Sequence, residues 1–432
     1  MNLENVRKRI AVLMGGYTAE RHISLESGRN IYNKLAASAK YDVIPLFLSG
    51  SPEAQHIFTL PTFLLLKDNA DDIHNFLLHP TLWEDTLSLL DPIRAEAHAL
   101  TDTYAKHSIH QPEILSYSAL KKRVDFVFIA LHGRPGEDGT LQRLLEQYAI
   151  PYNGSGIQTA ALTIDKYATN QFLKQQGFHV AQQVIITKQD WDASQTSVIS
   201  SIERNLVYPL IVKPVDDGCS SGVRKITDRA LLQDYITASF NSSLKGTQPL
   251  GLSNDLPQSA QLLIENCIEQ DPGILHLLEI TVGLLTRIDA NRATLYELFE
   301  PSEVLAANTI LTLEEKFLAG EGHNITPARF HKDPAIAKII SQMVQAELKK
   351  VAQKLNLQGY ARIDAFVKIY PNQKIEVWII EVNSLPAMTP ATCIFHQCAR
   401  NGYTPFHFID AIIQYGFTKR NFEKNTESVV YA

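Results

Sequence analysis

The 432-residue sequence predicts an α/β unit followed by two α+β units. Short apolar runs alternate with helical patterns through the first third, as in a parallel sheet with crossover helices. Further on, the strand LIVKP enters a loop rich in Gly and Ser, and GYARIDAFVKIYPNQKIEVWIIEVNSLPAMT (359–389) reads as two strands joined by a turn. A length of 432 residues exceeds one ordinary core, and 45% hydrophobic content suffices to bury two or three.

In chain order, RIAVLMGG, YDVIPLFL and VDFVFIALHG read as strands, while Ser24 to Leu35 and Thr140 to Tyr148 read as helices. They define a parallel α/β unit over 1–154. Gly15 and Gly16 follow a strand, but the G-x-G-x-x-G spacing of a dinucleotide fold is absent. Residues 51–120 interrupt this unit with amphipathic helical stretches, Asp71 to Leu78 and Pro92 to Tyr104, and no chemical signature. A second unit, 155–268, holds a helix over Asp165 to Gln176, the strand LIVKP, a polar surface loop at 241–260 and a buried strand in LLIENCIEQ. The third, 269–432, carries the hairpin and ends in a polar tail after Lys419.

Composition excludes several classes. A net charge of −6 gives no basic footprint for nucleic acid. Cys219, Cys267, Cys393 and Cys398 form no CxxC pair, which predicts a reduced cytoplasmic chain. His396 between the last two does not give zinc spacing, so these residues read as a helix packing face. The apolar run after Arg7, Lys8 and Arg9 is too short for a signal sequence. The longest apolar run, ILHLLEITVGLL, is broken by His276 and Glu279, so no membrane span is expected.

The hairpin carries the chemistry. Side chains two apart on a strand share a face, which sets Arg362 with Asp364 and Glu381 with Asn383. If Pro371 faces Lys374 across a tight turn, Asp364 opposes Glu381 and Arg362 opposes Asn383. Facing acids are unfavourable unless neutralised, and oxygen donors without His or Cys suit Mg²⁺ or Mn²⁺. A solvated sheet face is the alternative, with Ile363, Ala365, Val367, Ile380 and Val382 filling the other side. VKPVDDGCSSGV (212–223) adds Lys213 at a strand end before a loop whose amides can wrap phosphate. It lacks GxxxxGK[ST] spacing, and most such loops are plain turns. Lys166 on a helix and Glu265 on a strand add to the set, although either reads equally as an ordinary surface or core charge.

In this order the motifs resemble the ATP-grasp carboxylate–amine ligases, and specifically the D-alanine–D-alanine ligase family. The likeness runs through AVLMGGYTAERHISLESG, FIALHGRPGEDGTLQ, PYNGSGIQTAALTIDK, VKPVDDGCSSG, EITVG, EEKFLAGEGHNITPA and the hairpin. It leaves out 51–120 and parts of 225–260. It implies an ATP-grasp fold in which two α+β domains clasp ATP, with D-alanine as substrate and Mg²⁺ or Mn²⁺, two ions, as cofactor. Lys166, Lys213 and, in a mobile flap, Lys316 match the phosphate-binding lysines. Glu265 matches the contact at the adenine, Ile268 a further cofactor-binding position, Glu279 the ribose contact, and Asp364, Glu381 and Asn383 the metal ligands. Glu20 matches the carboxylate that holds the first substrate's ammonium, and His132 a substrate-side histidine. Arg362 and the backbone N–H of Ala387, where the family usually has Gly, match the oxyanion site. Thr392 replaces a usual Ser at the second substrate's carboxylate. A homodimer is common in the resembled family.

Two departures bear on the flap. The family ties it down with a glutamate, a serine and a tyrosine; here those positions are Glu20, Cys219 and Phe317. Cys is a weak donor and Phe none, so an apolar contact replaces part of a polar latch, unless Ser220 takes over the loop contact. Phe at the tyrosine position also resembles ligases that make the ester D-alanyl-D-lactate. His323 reads either as a pH-sensitive selector or as a solvent-facing flap residue. The readings are therefore a D-alanine–D-alanine ligase, a ligase of D-alanine with D-lactate or another D-amino acid, and a non-catalytic nucleotide-binding module.

Overall fold

The computed structural model describes residues 7–18, 20–61, 64–65, 69–79, 95–96, 99, 109, 111–215, 223–241, 261–305 and 323–430, with side chains of the last helix described to Phe422. Cys219, Ser220, Lys316, Phe317, the loop at 242–260 and nearly all of 92–104 lie outside the described residues, as does the side chain of His323.

The first sheet runs in the order β4 (Ile114–Leu115), β3 (Gln55–Thr59), β2 (Tyr41–Gly50), β1 (Lys8–Gly15), β5 (Phe126–Ile129). Its middle, β2-β1-β5, is parallel as the alternating pattern predicts, but β3 and β4 add antiparallel strands, so the sheet is mixed. Both extra strands come from the 51–120 segment. Ile10 to Met14 are fully buried, with helices α1 (Arg21–Ala36), α2 (Ala70–Leu78), α3 (Tyr117–Arg123) and α4 (Thr140–Gln147) around the sheet. Gly28 lets α1 lie close on β1, because a Cβ there would stand 2.6 Å from Cβ of Met14. Asn69 caps α2 by accepting from the amides of Asp71 and Asp72.

Helices α5 (Ile157–Thr163) and α6 (Lys166–Gln175) and strand β6 (His179–Val180) follow. Leu173 and Val180 pack into the core of the third sheet rather than the second. The second sheet, β7 (Gln183–Thr187), β10 (Gln261–Asn266), β8 (Leu210–Pro214), β9 (Arg224–Ile226), is antiparallel throughout. One face, with Val212, Leu262 and Ile264, is sealed by α7 (Lys188–Ala193), α8 (Gln195–Asn205) and α9 (Arg229–Asn241).

The third sheet has the order β14 (His323–Ile325), β13 (Ser302–Leu305), β11 (His276–Ile288), β15 (Tyr360–Ile369), β16 (Ile375–Asn383), β6, with β12 (Thr294–Leu298) also on β11. Helix α10 (Pro334–Lys354), capped by Asp333, covers its apolar face. Helices α11 (Cys393–Arg400) and α12 (Pro405–Val430) instead send Phe395, Phe408 and Ile412 into the core of the first sheet, which joins the two ends of the chain. The chain after Lys419 continues α12 rather than forming a tail.

The hairpin reaches the expected register by a different route. Tyr370 N–H donates to the carbonyl of Lys374, so the loop is 371–373, with Gln373 left-handed at φ 62°. Ile369 therefore faces Ile375 and Ala365 faces Ile379, one residue off the tight-turn register. A β-bulge beyond Ala365 absorbs Ile380 and restores Asp364 against Glu381 and Arg362 against Asn383. Ile379, 1% exposed, fills the apolar face in place of Ile380, which is half-buried at the bulge.

Candidate functional site

The polar face of the third sheet is assembled across three strands. Glu279 pairs with Phe366 and Thr281 with Asp364, so both lie on the same face as Arg362, Asp364, Glu381 and Asn383. Arg362 grips Asp364 with two hydrogen bonds of 3.0 Å and stands 3.5 Å from Glu381. This bidentate pairing is the strong form of a charged hydrogen bond. Burial works against the Arg362 charge, but the flanking acids more than offset it and raise its pKa above the ordinary value. Asn383 Nδ2 donates to Glu381 at 3.3 Å, a bond that does not use its amide oxygen. The acid pair is therefore neutralised first by its own strand's arginine. Asp364, Glu381 and the Asn383 amide oxygen nevertheless form an oxygen-only donor set that fits a hard divalent ion.

Two clefts meet at this face. One, partly open to solvent, spans about 290 Å³ and is lined by Glu20, Ile23, His132, Glu137, Arg362, Asn383, Pro386 and Ala387. The other, about 360 Å³, is lined by Glu137, Thr163, Ile164, Lys166, Glu381, Val382, Asn383 and Ser384. Glu137 and Asn383 belong to both. Glu20 enters from the loop before α1 and packs on Gly133; a Cβ at that glycine, φ 66°, would lie 2.2 Å from the Glu20 carboxylate. Lys166 opens α6, whose first turn Asp165 caps through the amide of Ala168 at 2.8 Å. Its backbone N–H reaches the carbonyl of Val215 at the end of β8.

Lys213 and Glu265, expected at different parts of a nucleotide, bind each other at 2.6 Å while 5% and 8% exposed. Gln183 on β7 donates to the second Glu265 oxygen at 2.8 Å, so three neighbouring strands contribute one polar group each. Ile268 is half-buried in the connection from β10 to β11. Thr392 stands at the head of α11, but its hydroxyl turns back to the carbonyl of Thr389 at 2.8 Å and does not cap the helix. Cys393, next in the chain, is buried beside Arg362, and burial pushes its thiol up to about 11. Cys393 and Cys398 are buried in packing while His396 is exposed, so the three do not converge.

Four side chains of this region escaped the sequence reading: Ser24, Ser27, Glu137 and Gln183. Glu137 had a signal, an acid inside the Gly-bearing GEDG loop. The serines and Gln183 had none, since their partners lie far along the chain.

The chain is similar to known proteins in both sequence and fold. The family model for the D-ala D-ala ligase N-terminus matches residues 9–155, and that for the C-terminus matches 172–245 and 257–414. A D-alanine–D-alanine ligase of Geobacillus thermodenitrificans is 27% identical over 385 residues, covering 89% of this chain and 88% of that protein. Another from Azobacteroides pseudotrichonymphae is 30% identical over 298 residues, 69% of this chain and 79% of its own length. Among solved structures, the VanG D-Ala:D-Ser ligase of Enterococcus faecalis superposes with TM-score 0.64 at 21% identity, over 95% of this chain and 99% of that one. The Bacillus anthracis D-alanine–D-alanine ligase complexed with ATP gives 0.58 at 20% identity, over 96% and 99%. Among the described residues no helix is long and apolar enough to cross a membrane. The chain belongs to the D-alanine–D-alanine ligase family, ATP-dependent enzymes that join D-alanine to a second D-substrate, and it has that family's fold.

Proposed function

We propose that this chain joins two D-alanines into D-alanyl-D-alanine, using ATP and an acyl phosphate, for peptidoglycan precursor synthesis in the cytoplasm. One observation carries the reading: Arg362, Asp364, Glu381 and Asn383 share one polar face at the seam of two clefts, with Glu20 in one and Lys166 in the other. We read 1–154 as the substrate-side unit, 155–268 as the lid and 269–432 as the unit with the catalytic face.

Amide formation from a carboxylate needs a leaving group. The first D-alanine's carboxylate oxygen takes the γ-phosphoryl group and ADP leaves; the second amine then attacks the acyl carbon, forms the C–N bond and expels phosphate. Two anions must approach, and cations lower that barrier. Lys166, Lys213 and Lys316 hold the phosphates, so Lys213 exchanges Glu265 for phosphate when nucleotide enters. Glu265 and Ile268 contact the base, Glu279 the ribose, and Ser220 the phosphate loop. Glu20 receives the first ammonium, Arg362 with the Ala387 N–H supports the developing oxyanion, and Thr392 contacts the second carboxylate. Asp364, Glu381 and Asn383 would hold Mg²⁺ or Mn²⁺, which supplies positive charge for the phosphates. A flap over the site excludes water that would hydrolyse the acyl phosphate.

The test is phosphate release and product identity with ATP and D-alanine alone, then with D-lactate or D-serine added. Dipeptide from D-alanine alone is expected; product only with D-lactate or D-serine overturns the choice of second substrate. That second reading draws on Phe317 at the family's tyrosine position, and Phe317→Tyr with unchanged selectivity removes its support. No phosphate release in any mixture favours a non-catalytic nucleotide-binding module.

A further inference from the structure

Ser27, on the inner face of α1, is 1% exposed and touches two loops at once. Its Oγ accepts from the backbone N–H of Met388 at 3.1 Å and lies 3.0 Å from Nε2 of His132. The other ring nitrogen of His132 faces Oε1 of Glu137 at 3.5 Å, an electrostatic contact looser than a full hydrogen bond. The ends are fixed too: His132 N–H donates to Ser24 Oγ at 2.8 Å, and Gly133 N–H donates to Glu137 Oε2 at 3.0 Å.

Proton counting assigns the ring. The Met388 amide can only donate, so the Ser27 oxygen accepts there and has one proton of its own to give. An ionised Glu137 only accepts, so a bare ring nitrogen turned toward it would be repelled and an N–H is favoured. A neutral imidazole carries one N–H. With that proton on Nδ1, Nε2 is the acceptor for the Ser27 hydroxyl, and each donor in the chain meets an acceptor. The opposite tautomer would place two lone pairs together at Glu137.

We propose that Ser27 is a positioning residue: it fixes His132 as the Nδ1–H tautomer and so couples the Ala387–Met388 loop to Glu137, the acid shared by both clefts. Both ring nitrogens are then committed inside the protein, and His132 lends no polar contact to substrate. The groups this wall presents are the carboxylates of Glu20 and Glu137, a pair suited to an amino acid's ammonium. That last step rests on the D-amino-acid reading; the tautomer does not.

The experiment uses the full-length protein with ¹⁵N-labelled histidine, His132 being assigned through His132→Gln. Long-range proton–nitrogen spectra should show the Nδ1–H pattern in the parent and loss of that single tautomer in Ser27→Ala. Losing one buried hydrogen-bond partner should raise the KM for D-alanine about tenfold, while the KM for ATP stays within about twofold. Ser27→Thr, which keeps the hydroxyl, should restore both readouts, and it replaces Ser27→Ala as the comparison if the alanine variant does not fold. An Nε2–H pattern in the parent, or an unchanged KM for D-alanine in folded Ser27→Ala, overturns the relay. If the parent shows no D-alanine-dependent ATP turnover, the proposed activity fails, and the spectra still decide the tautomer.

Discussion

Two buried acid sites of the molecule are neutralised in opposite ways. On the third sheet, Asp364 and Glu381 face each other across a hairpin, and the cation between them, Arg362, comes from the same strand as Asp364, two residues away. On the second sheet, Glu265 depends on Lys213 and Gln183 from the two flanking strands, 52 and 82 residues away in sequence. The first is built into a local unit. The second exists only once three strands have assembled, and its cation is the one expected to leave for phosphate. A lysine can make that exchange because it is a flexible point charge, whereas the bidentate Arg362 is held to a fixed geometry.

The largest effect should come from Arg362→Met. It removes the cation that two acids share, at about 3–5 kcal/mol in unfolding free energy, and should lower kcat by at least ~10²-fold. Denaturant melts and turnover check the two separately, and Mg²⁺ should restore part of the lost stability.

On the second sheet, the pair should behave as a coupled switch. Lys213→Met should weaken ATP binding by more than about tenfold, more than Glu265→Gln does, because it removes the proposed phosphate ligand and strands a buried acid. A double-mutant cycle on ATP affinity that shows no coupling would mean that the two act independently. Cys393 tests how closed the site is. With its thiol pushed up to about 11, alkylation at about pH 8 should be slow until the protein is unfolded, as mapped by mass spectrometry.

The smallest effect concerns Asp71, whose pKa is lowered chiefly by its hydrogen bond to Arg21. A folded-state pKa below the unfolded one gives stability that is present above the unfolded value and lost as pH falls through the folded one. Asp71→Asn should therefore cost on the order of 0.5 kcal/mol at neutral pH, after allowance for solvent screening of this half-exposed pair, and nothing in strong acid. Melts at both pH values check it.

Local patterns in the chain were enough to find the hairpin, its polar and apolar faces and the parallel strands around β1, because alternation with a period of two is a property of neighbouring residues. The same reasoning set Asp364 against Glu381, yet from a tight turn that does not form. The wider loop and the bulge at Ile380 cancel; the alternation does not show the loop, and it marks the bulge only by the adjacent Ile379 and Ile380. Segment 51–120 read as helical because α2 is amphipathic, while β3 and β4 are too short to show a pattern and exist by pairing on β2 and on each other.

What the sequence by itself determined is the chemistry within reach of one strand or loop: which acids, amide and arginine share a face, and which lysine opens a helix. Only the tertiary structure decided which cation each acid holds, that Glu137 stands in both clefts, and that Ser27, 361 residues from Met388 in the chain, joins it to His132. The reason is physical: a hydrogen bond or ion pair depends on separation in space, and sequence fixes that separation only along a single element.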